Sequence, residues 1–304
     1  MGMLPMNTTA ETNGTKQGAK YQTGRSRDRR WRSLLRQLPI HLLLLPGLAI
    51  TMIPLVWSVS ASLSSLGDVF RWPIRWVPSP AIWGNYVEAM TLQPFGLYFR
   101  NTAFVTAARV VALTLSSSLV AFAFARLRWK WRDRLFLVVL ATMMLPDQVT
   151  MIPRFVLFSR LGWVNTYLPL VFPAVFGGPF FIFLLRQFFM TLPTELDDAA
   201  RMDGASVFQT YWRILMPQSK PALTAVAIFE FQWSWNAFLE PLIYLHSKSK
   251  WLVSLGLRNF AGEYIQWWNL MMAASILVML PILVLFFVGQ RYFIQGVVFT
   301  GLKG

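Results

Sequence analysis

The chain has 304 residues, of which 55% are apolar and 13% are charged, whereas ordinary soluble domains carry about 25% charged residues. It contains no cysteine, which excludes disulfide bonds and thiolate metal sites. The net charge of +15 would suit a nucleic-acid-binding protein. The basic residues gather at the ends of apolar segments, however, so we expect a polytopic membrane protein with no nucleic-acid partner.

The N-terminal segment 1–37 is polar and basic and is predicted to form a cytosolic tail. The apolar run behind it is too long for the core of a signal peptide, so we expect an uncleaved first span. About 20 apolar residues cross the hydrocarbon core of a bilayer. Six segments are predicted to do so: 38–62, 101–125, 135–152, 168–189, 221–245 and 270–289. Pro146, Asp147 and Gln148 suggest that the third continues as an irregular or interfacial piece.

The distribution of basic residues predicts the orientation. With the N-terminus inside, the inner segments hold 19 of the 28 Lys and Arg residues, and the outer segments hold 8. This bias predicts that both chain ends and the segment 190–220 are cytosolic. Aromatic residues flank several spans, as aromatic-belt residues do: Trp72, Trp76, Trp83, Tyr86, Trp267 and Trp268.

Between the fourth and fifth spans lies a polar, acidic stretch, residues 193–217, which we call the island. Thr194 and Asp197 have capping-box spacing, so a helix is predicted to begin near Glu195. Gly204 suits the left-handed position that ends such a helix. One apolar stripe is predicted along this helix, formed by Leu196, Ala199 and Ala200.

A second short helix is predicted to follow Gly204. Ser206 and Gln209 repeat the capping-box spacing, and Pro217 is predicted to end the helix. Its buried face is predicted to consist of Phe208, Tyr211, Trp212 and Leu215. From spacing alone, an ordinary cytosolic loop with two interfacial helices explains the island equally well.

The island resembles the "EAA" signature of ABC importer permeases, which reads Glu-Ala-Ala, three residues, Gly, nine residues, Ile-x-Leu-Pro. Here the corresponding residues are Asp198-Ala199-Ala200, Gly204 and Ile214-Leu215-Met216-Pro217, with matching spacing throughout. Two side chains depart from the signature, Asp198 in place of Glu and Met216 in place of Leu. The Asp keeps the charge but shortens the reach of its contact by one methylene.

Other segments are similar to the carbohydrate subfamily, and the likeness covers most of the chain after about residue 70. They are 193–221, Gly162-Trp-Val-Asn165-Thr166, Trp235-Asn236-Ala237-Phe238 with Pro241-Leu242, Gln290-Arg-Tyr-Phe293 and Gly301-Leu-Lys-Gly304. The shorter, six-span permease of maltose-type importers is the nearest type. The resemblance implies an all-α polytopic fold, with six transmembrane helices and a cytosolic coupling helix between the fourth and fifth.

The resemblance also implies a domain organisation and a set of partners. The expected parts are the tail 1–37, the first span and outer loop 38–96, the permease core 97–291 with the coupling helix 194–216, and the C-terminal tail 292–304. In similar proteins one permease pairs with a second, related permease, two cytosolic ABC ATPases bind below, and an extracytoplasmic solute-binding protein delivers the solute. The expected location is a bacterial-type inner membrane, in contact with lipid.

The resemblance assigns ATPase coupling to residues of the island: Thr194, Glu195, Asp198, Ala199, Ala200, Asp203, Gly204 and Pro217. No phosphate-binding loop, catalytic triad or clustered metal ligands occur in the sequence. The chain is therefore expected not to be an enzyme and to bind no metal or cofactor. ATP and Mg would be bound by the partner ATPase.

Ionisable residues within a span are functional candidates, because burying a charge in hydrocarbon is costly. Helical spacing predicts one face of the fifth span, formed by Glu230, Trp233, Ala237, Glu240 and Tyr244 with Asn236 beside it. This face is expected to line the translocation path, with Glu230, Trp233, Asn236, Glu240 and Tyr244 as path residues that suit a sugar. Alternatively, the two glutamates pair with the partner permease and hold the dimer together. The role of Arg109 in the second span is left open between snorkelling outward and meeting an acid in the bundle. Asp147 is expected to be solvated, or else to belong to an outer gate.

Two other functions are consistent with part of this pattern. A permease of the same architecture could carry a non-sugar solute such as a glycerophosphodiester, in which case cations should face the path. An ion-coupled secondary transporter could use Glu230 or Glu240 as a protonation site, but it would have no need of the island.

Overall fold

The computed structural model describes residues 42, 44–262 and 266–301, and the chain divides into two units, Met1–Trp57 and Ser58–Gly304. In the first unit the described residues are helical and mostly exposed. The predicted tail 1–37 lies outside the described residues.

The described residues are almost entirely helical. The helices are α1 Leu44–Ser62, α2 Gly84–Leu92, α3 Phe95–Arg126, α4 Arg132–Thr142, α5 Asp147–Arg160, α6 Leu168–Val171, α7 Pro179–Thr191, α8 Glu195–Met202, α9 Val207–Gln209, α10 Met216–Gln218, α11 Lys220–Trp235, α12 Leu239–Tyr244, α13 Val253–Arg258 and α14 Trp268–Gly301. Short 3-10 helices cover Phe172–Phe176 and Lys248–Lys250, and a π-helix covers Thr210–Leu215. Within these residues, an isolated bridge between Ala261 and Gln266 is the only β pairing. The predicted all-α fold is confirmed.

The predicted count of six spans is not reproduced in full. Among the described residues, four helical segments are long and apolar enough to cross a membrane: Leu44–Ser62, Phe95–Arg126, Leu168–Thr191 and Trp268–Gln290. Helices α4 and α5 make a fifth if they are counted as one span, although they meet at 95°. The bend falls at Pro146, whose backbone is extended and whose ring prevents a helical bond at this point. The irregular continuation of the third span is thus a second helix.

The predicted fifth span, 221–245, is not one helix. Helix α11 ends at Trp235 and α12 begins at Leu239. The break has an identifiable cause, because Pro241 has no N–H to donate to the carbonyl of Ala237, one helical turn earlier. That carbonyl accepts a hydrogen bond from Ser254 Oγ at 2.7 Å instead.

Helix α3 lies at the centre of the second unit and packs against α7 and α11. Small side chains allow the close approach of α7: Ser117, Ser118 and Ala121 of α3 are fully buried. A Cβ atom on Gly177, just before α7, would come within 3.2 Å of Ser117 Oγ. Close packing through small residues is how helices associate in lipid, where apolar burial alone gives no preference.

Candidate functional site

Helix α8 begins at Glu195, as predicted, but its predicted capping box is not formed. Thr194 has helical φ and ψ, and its side chain makes no capping hydrogen bond. Asp197 instead forms an ion pair with Arg126, the last residue of α3, at 3.0 Å between Oδ2 and Nη1. The prediction was wrong because a charged partner from another helix holds the carboxylate that the capping box required.

The apolar stripe predicted on α8 only partly faces the protein. Ala200 is buried, Leu196 is half-buried and Ala199 is exposed. The outward side of the helix therefore exposes residues of the signature: Thr194, Glu195, Asp198, Ala199, Asp203 and Gly204. This side is available to a macromolecule outside the chain.

The elbow after α8 has the predicted form. Gly204 has φ of +76°, and the amide of Ala205 donates to the carbonyl of Ala200 at 2.9 Å. A Cβ at Gly204 would meet no atom within 4 Å, so backbone conformation rather than space favours glycine here. The second capping box is also confirmed, with Ser206 N donating to Gln209 Oε1 and Gln209 N donating to Ser206 Oγ.

The buried face predicted for the second helix is half wrong. Tyr211 and Leu215 are buried, but Phe208 and Trp212 are 62% and 50% exposed and stack on each other. Tyr211 and Leu215, four positions apart, lie in the buried core, whereas Phe208 and Trp212, the neighbouring pair at the same spacing, lie outside it. Residues Thr210–Leu215 form a π-helix, in which hydrogen bonds run from i to i+5.

The sequence predicts that Pro217 ends this helix, but in the structure the helix continues past it. The helical backbone continues to Gln218, and after the single turn residue Ser219 α11 begins at Lys220. Pro217 has no N–H to donate to a helical carbonyl, and the π-helix, whose turn is wider, ends at Leu215, two positions before it. The proline and the π-helix thus lie side by side in one continuous helical backbone. The island therefore runs into α11 with almost no intervening loop.

A buried hydrogen bond connects the second helix to α3. The hydroxyls of Tyr211 and Ser118 lie 2.7 Å apart. Burial raises the pKa of the Tyr211 phenol above its ordinary value, so the phenol stays protonated at neutral pH. The bond therefore joins two neutral hydroxyl groups.

A group of five ionisable side chains, which we call the charge cluster, joins α3, α5, α11 and α12: Arg109, Asp147, Arg154, Glu230 and Glu240. Arg109 Nε contacts Glu230 Oε1 at 2.8 Å, and its Nη1 contacts Glu240 Oε2 at 3.2 Å. The guanidinium also donates to the carbonyl of Leu170 at 3.0 Å. Arg109 therefore meets acids in the bundle and does not snorkel outward.

Arg154 of α5, one of the eight basic residues counted in the outer segments, completes the cluster. Its guanidinium lies 3.6 Å from Glu240 and 3.9 Å from Asp147, whose side chain is 93% exposed. Arg109 could be suspected from the sequence as a cation within a span. No comparable signal identified Arg154, because its contact depends on the bend between α4 and α5.

A cavity of about 360 Å³ opens beside the charge cluster, within the usual size range of ligand pockets. It is lined by Arg109, Asp147, Gln148, Met151, Arg154, Trp233, Ala237, Phe238, Leu239 and Glu240. Two of the predicted path residues, Trp233 and Glu240, are among them.

The other predicted path residues do not line this cavity. Glu230 is only 1% exposed and is held by Arg109. Tyr244 is buried against the rings of Phe155 and Phe158. Asn236 is exposed and its amide donates to the carbonyl of Gln232. Of the predicted face, Trp233, Ala237 and Glu240 line the cavity, whereas Glu230 and Tyr244 are buried, and the helix is interrupted between Trp235 and Leu239.

In the part of the chain that the structure describes, no three His, Cys, Asp or Glu side chains gather into a possible metal site.

Comparisons with known proteins all identify membrane transport components. The profile of the family described as "Binding-protein-dependent transport system inner membrane component" matches residues 114–298. The arabinooligosaccharides transport system permease protein of Halalkalibacterium halodurans is 35% identical over 260 residues, which cover 84% of this chain and 92% of that protein. The sn-glycerol-3-phosphate transport system permease protein of Pectobacterium atrosepticum is 32% identical over 266 residues, which cover 85% of this chain and 94% of that protein.

A solved structure with the same fold belongs to a bacterial ABC transporter involved in the import of the acidic polysaccharide alginate. It superposes with a TM-score of 0.74 over 86% of this chain and 98% of that chain, at 23% sequence identity. At this identity the likeness establishes the fold alone.

Proposed function

The chain belongs to the family of inner membrane components of binding-protein-dependent transport systems, and from that premise we propose that it is a permease subunit of an ATP-driven carbohydrate importer. The family consists of membrane permeases of ABC transporters, which are not enzymes in themselves and which work with a further permease, an ATPase and a binding protein. For this chain we propose a second, related permease as the dimer partner, two ATPase subunits and one extracytoplasmic solute-binding protein. ATP and Mg would be bound by the ATPases.

The geometry of the island carries the proposal. Helix α8 presents Glu195, Asp198 and Ala199 outward, and the chain continues from the Gly204 elbow into α11 with one turn residue, Ser219. A short helix with a free face and a nearly continuous connection to a membrane helix suits a coupling element that docks on an ATPase. We propose that the island lies on the cytosolic side together with both chain ends, as the positive-inside bias favours.

For the translocation path we propose the cavity beside the charge cluster. Trp233 offers a half-exposed aromatic face, and Glu240 and Gln148 offer acceptors and donors for hydroxyl groups. An aromatic surface beside such polar groups suits a sugar, whose ring has apolar faces and hydroxyl edges. The arabinooligosaccharide permease among the relatives supports the same solute class.

A phosphorylated solute is the second candidate, because sn-glycerol-3-phosphate permeases are also among the relatives. The charge cluster favours a neutral solute instead. Its two arginines already contact three carboxylates, so no uncompensated cation faces the cavity from within the cluster. An ion-coupled carrier, the remaining alternative from the sequence, is at odds with membership of a binding-protein-dependent family.

The proposed function is tested by solute-stimulated ATP hydrolysis in proteoliposomes, using the complex purified through this chain. Gly204→Pro should abolish or uncouple the stimulation, because proline cannot adopt φ of +76°. Val207→Pro is the matched control: residue 207 is the first residue of α9, where proline is tolerated, and Ser206 before it is extended, as a residue before proline prefers. Uptake driven by a proton or sodium gradient, with no ATPase in the purified complex, would show that the proposal is wrong. Comparing neutral oligosaccharides with glycerol phosphates as stimulants distinguishes the two solute classes.

A further inference from the structure

Arg126 connects the end of α3 to both sides of the start of α8. Its Nη1 lies 3.0 Å from Asp197 Oδ2, and its Nη2 donates to the carbonyl of Leu192 at 2.8 Å. The Arg126 and Asp197 side chains are only 6% and 14% exposed. One guanidinium thus holds both the segment that enters α8 and the first turn of α8.

A second contact lies on the other side of the Gly204 elbow. The Tyr211 hydroxyl is hydrogen-bonded to Ser118, and the Tyr211 ring packs against Phe122 with 5.1 Å between centroids. Ser118, Phe122 and Arg126 follow each other at four-residue spacing and so lie along one side of α3. This side of α3 therefore holds both helices of the island.

The same helix carries Arg109 at the charge cluster. Arg109 and Arg126 are 17 positions apart on one unbroken helix, or about 25 Å at 1.5 Å per residue. At the charge cluster, α3 contacts Glu230 of α11 and Glu240 of α12 through Arg109. Displacement of α8 along or around the α3 axis would therefore reach the charge cluster without passing through α11.

The island is connected to the charge cluster by two routes, through its contacts with α3 and through the covalent chain into α11. The covalent connection is the less regular route. It contains the π-helix Thr210–Leu215 and the turn at Ser219, and helices bend at π-helical turns. Helix α3 has no proline and no break over its 32 residues. A regular helix transmits a displacement along its axis with less bending than a segment that contains a π-helix and a turn.

We propose that α3 is a second transmission route between the ATPase-docked island and the translocation path, and that the Arg126–Asp197 ion pair connects the island to it. Arg126 and Asp197 are positioning residues in this scheme, since they act through α3 and touch neither ATP nor solute. The inference rests on the proposed function, because it assumes that an ATPase moves the island.

The first test measures coupling in Asp197→Asn within the complete complex in proteoliposomes. We expect the ATPase to co-purify and its basal hydrolysis to persist, while the amount of solute moved per ATP falls by about fivefold or more, the lower end of typical coupling effects. Asp197→Glu keeps the negative charge, so the amount of solute moved per ATP, which we call the coupling ratio, should stay close to that of the wild type. Asp68→Asn is the matched control, because it removes an exposed Asp–Arg pair with Arg71 far from the island in sequence, and it should leave the ratio unchanged.

A chemical bridge tests the connection independently of charge and folding. The chain has no cysteine, so Arg126→Cys/Asp197→Cys introduces its only thiol pair, to be assayed with cysteine-free partner subunits. We expect the unbridged pair to show a low ratio of solute moved to ATP hydrolysed. A short bifunctional methanethiosulfonate, which forms a disulfide with each cysteine and releases methanesulfinate, should restore this ratio until a thiol reductant cleaves the disulfides.

Three results would overturn the inference. The coupling ratio could be unchanged in Asp197→Asn, the bridge could fail to restore it, or the ATPase could dissociate only from Asp197→Asn, which would make the pair a support of the docking surface. An ATPase that fails to co-purify even with the wild-type chain would instead contradict the proposed function itself.

Discussion

Arg109 Nε donates a 2.8 Å hydrogen bond to Glu230 Oε1, and Glu230 is almost entirely buried. The two residues lie on α3 and α11, 121 positions apart in sequence. Charges within a membrane helix are retained where they pair with one another or face a cavity, and this pair does both, since Arg109 also lines the cavity next to Glu240. The pair therefore joins α3 to α11, and its arginine is also part of the wall of the candidate path.

Arg109→Gln should destabilise the chain strongly, because it leaves the Glu230 carboxylate buried without its cation. Removal of one partner of a buried ion pair costs about 3–5 kcal/mol. Thermal unfolding of the purified protein in detergent measures the effect. Arg71→Gln removes an exposed pair with Asp68 and should cost less than about 1 kcal/mol. Equal losses in the two variants would show that the buried Glu230 does not depend on Arg109 for its stability.

Trp233→Ala and Tyr244→Ala should affect different properties, although the sequence placed both residues on one face. Trp233 is half-exposed at the cavity, so its loss should impair uptake with little change in stability. Tyr244 is buried between aromatic rings, so its loss should cost about 3–5 kcal/mol, as for other large aromatic truncations. Parallel measurement of uptake and unfolding temperature distinguishes the two. Normal uptake in Trp233→Ala would exclude this cavity from the path.

The local features of the island were predictable where they depend on neighbouring residues in the sequence. The start of α8, the left-handed Gly204 and the Ser206–Gln209 capping box are all confirmed, because backbone preference and short-range hydrogen bonds determine them. The sequence could not show that the capping box at Thr194 fails to form. Its acidic residue, Asp197, pairs instead with Arg126, which is distant in the sequence.

The arrangement of the spans was less predictable, because it also depends on contacts between residues that are distant in the sequence. Apolar length located the segments but did not by itself give the break between Trp235 and Leu239, where Pro241 lacks the N–H that the Ala237 carbonyl would accept and Ser254 donates to that carbonyl instead. Helical spacing then placed Glu230 and Glu240 on one face, whereas the structure brings them together through Arg109 and across a helix break. Spacing likewise could not show that, of the four apolar residues on the second helix, Tyr211 and Leu215 are buried while Phe208 and Trp212 are exposed.

Ser254→Ala should weaken the junction between α11 and α12. The half-buried Ala237 carbonyl would lose the partner that replaces the missing proline N–H, and the net loss of such a hydrogen bond is about 0.5–1.5 kcal/mol. Ser275→Ala is the control, because the Ser275 hydroxyl bonds only to the carbonyl of Met271 in its own helix. Hydrogen exchange of the amides from 236 to 242 should increase in Ser254→Ala alone. Identical exchange in both variants would indicate that the break does not depend on Ser254.

The Tyr211–Ser118 bond should appear as a coupling energy in a double-mutant cycle. Ser118→Ala leaves the buried Tyr211 hydroxyl without its partner and should cost about 1–3 kcal/mol. Tyr211→Phe should cost less, because the Ser118 hydroxyl keeps its bond to the carbonyl of Leu115. The double variant removes both hydroxyls and should cost less than the sum of the two, by at least about 0.5 kcal/mol. Because Tyr211 is neutral, the coupling should be the same at pH 6 and pH 8, where an ionised phenol would make it vary. Costs that add within error would show that the two hydroxyls do not share a bond, and would leave Arg126 as the remaining polar link between α3 and the island.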